Sequence, residues 1–514
     1  MALKPRLDPY TRLTSRFYEV LLLLSTLRPV NGPHIITKLD TGTLQGARRR
    51  FLRNLCVLCD YQKGGDSTTS IGAEDRDDTY VLWVSSNEGP GDNVINFIIT
   101  VLEDLRRVVF GGEEQNVVAE ELLHRTIRFV SPRLRKEKSF LRRTSRSCAE
   151  IVEGDDPQHS KLGQYTGLIL WLRQFQPTNL DDLAICRLAY EHRHDQEMNL
   201  MMQYGQEEEE SGTQLPMARP FSYFRHMIGR LAHRVRVVGE LFQDARRLPA
   251  LLRDSRVERV QPPMSATVPM ADGHTTLQGI LRRLLPARDQ RYGPYLDFLK
   301  FIDQHVNIEA GIIERLEDST FTPCVHAEVQ MLHHFDKGNR NFVANDKYIA
   351  CSKPACICCE LYFRHHPLRV TLIDAHQKAY PKWGLIGLTQ GAQSADWISQ
   401  RNILIDVIQD LKPIVLDQIS QLQVSSLHHP DSVSQITESL ADDVDLAELS
   451  DVDSEQTFDT EPESIADTAG VLSNEAGTAA NFTTFHPADI AAFESIFLDN
   501  DDDADFDSDD GVKL

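Results

Sequence analysis

Acidic residues are concentrated at one end of this 514-residue chain, and this limits which part of the chain can form a core. Residues 431–514 contain 24 Asp and Glu but only one basic residue, Lys513, while the net charge of the whole chain is −22. The first 430 residues are therefore nearly neutral, at +1. A segment with so much like charge and so few apolar side chains cannot offset its ordering entropy by burial. We predict a disordered acidic tail over 425–514 behind a folded region.

One short part of this tail has a different pattern. In "HPADIAAFESIFLD", Ile490, Phe493 and Phe497 recur at helical spacing and form an apolar stripe. Residues 487–498 are therefore a candidate segment for docking in the groove of a protein partner. The alternative is a tail that only keeps the protein solvated.

The overall composition is typical of a globular protein. With 41% hydrophobic residues, the chain can form one large domain or two to three ordinary ones. No apolar run is long enough to cross a bilayer, and the N-terminal run "VLLLL" lacks a small-residue cleavage site behind it. Nine unevenly clustered cysteines fit a reducing compartment better than a disulfide framework. We expect an intracellular protein, cytoplasmic or nuclear, without a membrane partner.

Hydrophobic periodicity divides the folded region into four parts. Residues 1–45 are predicted to form an N-terminal helical segment, and residues 46–90 a helix and a β-hairpin around the turn-like "RDD". Residues 91–318 are helical by period, with polar loops between the helices. Residues 319–420 alternate strand-like runs such as "KYIAC" and "LRVTLID" with helices, which is typical of a sheet covered by helices. We therefore predict a mixed α+β or α/β fold, in which a small α/β domain accompanies a large helical region.

The candidate chemistry lies in the alternating part. "TPCVHAEVQ" places His326 ahead of Glu328 at the start of a predicted helix, and "CSKPACICCE" follows it. Zinc binds nitrogen and sulfur ligands in a tetrahedron, and a catalytic site leaves one of the four positions to water. His326, Cys356 and Cys359 would supply three ligands. Because residues three apart share a helix face, Cys356 and Cys359 can bind one ion, whereas Cys358 points elsewhere.

The local surroundings of these residues favour such a site. Cys356 and Cys359 follow Pro354 in the first predicted turn of a helix, where the helix dipole favours the thiolate. Positions 326 and 328 of one regular helix would project in nearly opposite directions. If His326 occupies an irregular helix entry, it can bind the metal while Glu328 faces the metal-bound water. Glu328 is then the candidate acid/base.

The same residues resemble a known signature. "HAE" followed by "SKPACICC" is similar to the H-x-E…P-C-x-x-C pattern of zinc-dependent cytidine-deaminase-like enzymes. "YIACSKPACICCELYF", with "HQKAYPKW" behind it, resembles the OTT-type deaminase-like family that is common in fungi. The resemblance is strongest over 322–384. It implies that His326, Cys356 and Cys359 bind Zn²⁺, that Glu328 moves protons, and that an amino-substituted base, free or in a nucleoside or nucleic acid, loses ammonia hydrolytically.

The resemblance also has a consequence for the hairpin. Deaminase-like folds carry a helix and a hairpin before the zinc-binding helix, whereas the residues immediately before 319 are predicted to be helical. The hairpin at 67–87 is the candidate replacement, which would make 91–318 an insertion or a separate domain. In related deaminases an asparagine at the end of the second strand contacts the base, and Asn87 has that place here. The alternative is an ordinary turn asparagine.

Several residues leave alternatives open. Cys351 or Cys324 could occupy the fourth ligand position, which would make the zinc structural. The protein would then be an inactive deaminase-like scaffold that recruits partners through its tail. His376, Tyr380 and Trp383 follow a predicted strand end and are candidate substrate contacts.

Two further motifs have simpler explanations. Cys56 and Cys59 form a CxxC motif within an apolar helical stretch, and we expect them to pack in the core. The basic run "PRLRKEKSFLRRTSR" at 132–146 could bind phosphates or act as a nuclear import signal, but a solvated loop or helix face is the ordinary expectation.

Overall fold

The computed structural model describes residues 8–27, 35, 38–76, 79–154, 162–210, 220–371 and 374–420. The acidic tail and the docking segment at 487–498 lie outside the described residues. The α-helices of the described part are α1 (Pro9–Leu27), α2 (Leu44–Cys59), α3 (Asp92–Val109), α4 (Gln115–Phe129), α5 (Ser131–Gly154), α6 (Leu162–Arg173), α7 (Asp182–His192), α8 (Gln196–Glu210), α9 (Pro220–Arg247), α10 (Pro249–Arg253), α11 (Leu277–Leu284), α12 (Tyr292–Val306), α13 (Ile308–Glu317), α14 (Ala327–Lys337), α15 (Ile357–His365) and α16 (Trp397–Ser420). Among these helices, none combines the length and the apolar composition needed to cross a bilayer.

The strands form a small four-stranded sheet. They are β1 (Thr69–Arg76), β2 (Thr79–Ser86), β3 (Ser255–Arg259) and β4 (Ile349–Cys351), in the order β3-β2-β1-β4. β1 and β2 form the antiparallel hairpin that the sequence predicts, with Ile71 opposite Val84. β4 pairs antiparallel with β1 and places Ala350 beside Ile71. The hairpin therefore shares a sheet with the strand that leads to the cysteine pair, which lies far along the chain.

Side chains from the two faces of the sheet enter two different cores. Leu82 and Val84 of β2 pack in the core that contains α2, α3 and most of the helical region. Val81 and Trp83, the alternate residues, pack in the core formed by α1 and α11 to α16. Helix α2 contacts β1 and β4, while α14 contacts β1 and β2. The mainly helical protein thus has a sheet covered by helices on both faces, because strand side chains alternate between faces.

A glycine in β1 determines how closely α14 approaches the sheet. A Cβ at Gly72 would lie 2.6 Å from Cε2 of Phe335 and 3.0 Å from the sulfur of Met331. Only a residue without a side chain fits between β1 and these two side chains of α14. Gly72 therefore fixes the distance between the sheet and the helix that carries Glu328.

Two sequence predictions need correction. The region 91–318 is not entirely helical, since β3 pairs in parallel with β2 at the edge of the sheet. None of the five residues of this strand is fully buried, and its sequence lacks an apolar run. The segment "LRVTLID" forms no strand in its described residues: Thr371 makes one parallel bridge with Tyr348. Arg369 adopts a left-handed backbone (φ 53°) that interrupts an extended chain.

Candidate metal centre

His326 lies at the entry to α14 and not inside the helix. It is the N-cap residue, with extended backbone angles of φ −64° and ψ 149°. Glu328 follows in the first helical turn. The irregular helix entry that the sequence predicts is therefore present. Because His326 precedes the regular helix, its side chain and that of Glu328 need not project in opposite directions.

The end of β2 holds this helix entry in place. The amide oxygen of Asn87 accepts a hydrogen bond from the backbone N–H of Ala327 at 2.8 Å. The Ser85 hydroxyl donates to the backbone oxygen of Ala327 at 2.8 Å. Gln330 donates from its side-chain amide to the backbone oxygens of Ser86, at 3.0 Å, and Val325, at 2.7 Å. Asn87 thus lies next to the HAE motif, and its amide group also donates to Gly65 at 2.9 Å.

The two cysteines lie at the start of α15. Cys356 is its N-cap residue, and Cys359, in the first turn, donates its backbone N–H to Sγ of Cys356 at 3.5 Å. The sequence predicts both cysteines inside the first turn, whereas the structure places Cys356 one residue before it. Ala355, which separates Cys356 from Pro354, pairs with Ala375 in a parallel bridge. This bridge anchors the loop that presents Cys356.

The imidazole and the two thiols converge on one point. Nδ1 of His326 lies 3.6 Å from Sγ of Cys356 and 3.4 Å from Sγ of Cys359. These three ligand atoms are all within 4.8 Å of one another. With Zn–S of about 2.3 Å and Zn–N of about 2.0–2.1 Å, a tetrahedral angle separates nitrogen and sulfur ligands by about 3.6 Å. The spacing therefore suits a tetrahedral ion with two sulfur ligands and one nitrogen ligand.

The other candidate ligands point elsewhere. In the part of the chain that the structure describes, the cluster of metal-ligating side chains contains neither Cys324 nor Cys351. The Cys324 thiol donates to the backbone oxygen of Asn87 at 3.1 Å. The Cys351 sulfur lies 4.0 Å from a carboxylate oxygen of Glu328. Cys358 is completely buried and is not a member of the cluster either, as its helical position predicts.

Glu328 is buried beside the cluster without belonging to it. Glu328 is only 4% exposed, and its carboxylate oxygens do not belong to the cluster of ligand atoms from His326, Cys356 and Cys359. A buried carboxylate next to a metal site, but outside its ligand set, can accept and return protons. This is the arrangement that the helix entry at His326 makes possible.

Electrostatics within the cluster distinguish the two thiols. Burial raises the pKa of Cys356, but its contacts with Cys359 and with the imidazole of His326 outweigh burial and lower that pKa to about 6. Burial and the neighbouring Cys356 raise the pKa of Cys359. Burial also lowers the pKa of His326, an effect that the nearby Cys356 reverses, so the net pKa is raised. One thiolate is thus favoured, as expected of a site prepared for a cation.

The three residues of the "HQKAYPKW" segment occupy different places. Trp383 is completely buried, and its indole N–H donates to Sγ of Cys359 at 3.0 Å. The ring of Tyr380 lies 6.1 Å from the ring of His326. His376 is buried and meets Tyr380 edge to face at 5.6 Å. Trp383 therefore lies behind a candidate ligand, while Tyr380 lies beside the imidazole.

A cavity lies beside Glu328, and none of the three cluster residues lines it. It is lined by Glu328, by the 351–355 loop and by several cationic side chains from α2, α5 and α9. No motif in the sequence links these cations to the site. Their signal was weak because they are single arginines within long amphipathic helices. One of them, Arg133, belongs to the basic run 132–146, yet it is only 5% exposed, which corrects the expectation of a solvated face at that position.

The part of the chain that is similar to a known family is the segment around this site. Residues 325–386 match the model of a family described as "OTT_1508_deam-like deaminase". The matched segment contains His326, Glu328, Cys356 and Cys359. No curated protein and no solved structure matches the chain.

Proposed function

We propose that this chain, which over residues 325–386 is a member of the OTT-type deaminase-like family, is a zinc-dependent hydrolytic deaminase. Its substrate would be an amino-substituted base, either free or in a nucleoside or nucleic acid. The proposal is supported above all by one observation: His326, Cys356 and Cys359 have tetrahedral ligand spacing, while Glu328 lies buried beside them as a non-ligand. That combination is the one used by zinc-dependent base deaminases.

The donor set fits zinc. Two thiolates and one imidazole are ligands that zinc accepts in a tetrahedron, and three protein ligands leave one position for solvent. When bound, zinc makes a water molecule nucleophilic near neutral pH. His326, Cys356 and Cys359 would hold the ion, and Trp383 would orient Cys359 through its indole N–H.

The protein's own residues would manage the protons. In the overall reaction the oxygen of water becomes bonded to the ring carbon, the C–N bond breaks, and the nitrogen leaves as ammonia. Glu328 would take a proton from the water and deliver it to the departing nitrogen, so the carboxylate is regenerated in each cycle. Its burial next to Cys351 keeps the carboxylate fixed and away from bulk solvent.

The test combines metal analysis with an ammonia assay on the full-length chain. We expect close to one zinc per chain, and ammonia release from at least one compound in a screen of bases, nucleosides, nucleotides, and single-stranded DNA and RNA. Glu328→Gln should retain the zinc and lose about 10²–10⁴ of the rate. Glu317→Gln, at an exposed position in α13, is the matched control and should retain both.

The alternative scaffold function predicts a different result. A structural zinc would give a metal-loaded protein that releases no ammonia from any of these compounds and is unaffected by Glu328→Gln. Loss of zinc from Glu328→Gln would contradict the position of Glu328 outside the ligand set.

A further inference from the structure

The 60–68 loop, which connects α2 to β1, lies outside the family-matched segment but contacts the part of the chain that carries the cysteine pair. The ammonium group of Lys353 donates a hydrogen bond to the backbone oxygen of Gly64. The same ammonium group lies 3.9 Å from a carboxylate oxygen of Asp60. Because Lys353 precedes Cys356 by three residues, these contacts hold the segment that presents a candidate ligand.

The next residue of the 60–68 loop contacts the histidine side of the cluster. The backbone oxygen of Gly65 accepts a hydrogen bond from the side-chain amide of Asn87 at 2.9 Å. The amide oxygen of Asn87 in turn accepts one from the backbone N–H of Ala327, directly after His326. Two neighbouring carbonyl groups of one loop therefore hold the chain on both sides of the candidate metal centre.

A buried ion pair fixes the 60–68 loop to the helical region. The guanidinium group of Arg133 in α5 pairs with Asp60 and also donates to the backbone oxygen of Gln62 at 3.4 Å. Inside the loop, the Ser67 hydroxyl donates to the Asp60 carboxylate at 2.7 Å. Asp60 and Arg133 are only 3% and 5% exposed, so solvent ions screen their pair weakly.

The charges around Asp60 favour its ionised form. Burial raises the pKa of this carboxyl group, but Arg133 and Lys353 outweigh burial and lower the pKa below its ordinary value. Arg133 also pairs with Glu137 of its own helix at 2.8 Å. Such a buried group of charges resists separation, because loss of one partner leaves an uncompensated charge in the interior. The position of α5 therefore determines the position of Lys353 through Asp60.

We infer that Asp60 is a positioning residue of the metal centre. Through Lys353 it fixes the segment that presents Cys356, and through Arg133 it connects that segment to the helical region. The inference rests on the proposed zinc site and adds residues outside the matched family segment to those that the site requires. The helical region is then not a separable domain, because Arg133 of α5 belongs to the chain of contacts that ends at the cluster.

The zinc affinity of the full-length chain, measured by competition with a chelator, tests this inference without turnover. Lys353→Met removes the charge that pairs with Asp60, and we expect about tenfold weaker binding, as for other outer partners of metal ligands. Lys353→Arg restores the charge and should recover most of this loss. Lys347→Met is the matched control and should not change the affinity, because Lys347 is exposed and donates to the backbone oxygen of Leu368.

A spectroscopic measurement separates positioning from general stability. With cobalt in place of zinc, the d–d absorption bands report the geometry of the ligands. Asp60→Asn retains an oxygen for the Ser67 hydroxyl but loses the charge, so it should change these bands and weaken zinc binding. Adding Lys353→Met should weaken the binding little further, because the two residues form one pair. If Asp60→Asn fails to fold, Lys353→Met and Lys353→Arg are compared by the same bands.

The connection to the helical region has its own test. Arg133→Lys keeps the charge but not the guanidinium group that pairs with both Asp60 and Glu137, and it should weaken zinc binding and change the cobalt bands. Arg135→Lys, at an exposed position of the same helix, is the control and should do neither.

The outcomes also distinguish this inference from the proposed function. Unchanged zinc affinity in Lys353→Met and Asp60→Asn, or losses that simply multiply in the double variant, would overturn the inference and leave the deaminase function in place. Zinc affinity that depends on Asp60, in a protein that releases no ammonia, would refute the deaminase function alone. A chain that binds no zinc would overturn both.

Discussion

The indole N–H of Trp383 donates a hydrogen bond to Sγ of Cys359 across 3.0 Å. Trp383 is the largest of the completely buried side chains in the described residues. Its ring packs against Phe17 of α1, at 5.4 Å, and Tyr362 of α15, at 6.0 Å. The core that contains α1 therefore orients a candidate metal ligand through a single polar contact.

Removing this donor should weaken metal binding. Trp383→Phe keeps an aromatic ring but loses the N–H group, and substitution of such an outer partner costs about 10–100-fold in metal affinity. The affinity is measured by competition with a chelator. Trp397→Phe is the control, since Trp397 is also buried and contacts Tyr10 rather than the metal cluster. Equal affinities in the two variants would contradict the role of Trp383.

The neighbouring cysteines 358 and 359 provide a matched pair for the ligand assignment. Both are completely buried, so either alanine substitution removes a similar volume from the same core. We expect Cys359→Ala to lose the metal and Cys358→Ala to retain it, because only Cys359 shares the cluster with His326. Metal content per chain, measured by mass spectrometry, distinguishes them. Metal retained in Cys359→Ala would remove that residue from the ligand set.

Asn87 should contribute to stability as well as being a candidate substrate contact. Asn87→Ala removes the acceptor for the Ala327 N–H, and losing such a hydrogen bond costs about 1 kcal/mol in the free energy of unfolding. Asn87→Asp keeps the acceptor oxygen but loses the donor to the Gly65 carbonyl, so it should recover only part of that loss. Denaturant titration of the metal-loaded protein checks this. A stability unchanged by the alanine substitution would show that this contact does not hold the entry of α14.

Gly72→Ala tests the packing of the sheet against α14. The new methyl group would meet Phe335 at 2.6 Å, and overpacking of this kind costs about 1–3 kcal/mol in unfolding free energy. Gly293→Ala in α12 is the control, because a Cβ there meets no atom within 4 Å. The denaturant midpoint of Gly72→Ala should be lower than that of Gly293→Ala. Similar midpoints would mean that α14 does not approach the sheet so closely.

Local patterns in the sequence were sufficient to predict the cluster of His326, Cys356 and Cys359 and the hairpin. Residues three apart at a helix start share a face, so Cys356 and Cys359 could be chosen over Cys358 from spacing alone. On a regular helix the side chains of His326 and Glu328 would project in nearly opposite directions. This predicted the irregular helix entry that the structure contains. The CxxC motif at Cys56 was correctly assigned to the core, since both of its cysteines are buried.

Contacts between distant parts of the chain could not be predicted in this way. Arg53, Arg133 and Arg234 line one cavity, yet each is an ordinary arginine within its own helix. Strand β3 is short and has no fully buried residue, so it has no apolar pattern. The hydrogen bond from Trp383 to Cys359 depends on packing between the segment after α15 and α1. In each case the partner is set by tertiary packing and not by spacing in the sequence.

The most direct test of the account is X-ray absorption spectroscopy at the zinc edge on the purified full-length chain. His326, Cys356 and Cys359 with one solvent position predict two sulfur and two nitrogen or oxygen scatterers around each ion. Three sulfur scatterers and one nitrogen scatterer would mean that another cysteine, such as Cys351 or Cys324, closes the site, and this result would contradict the catalytic proposal.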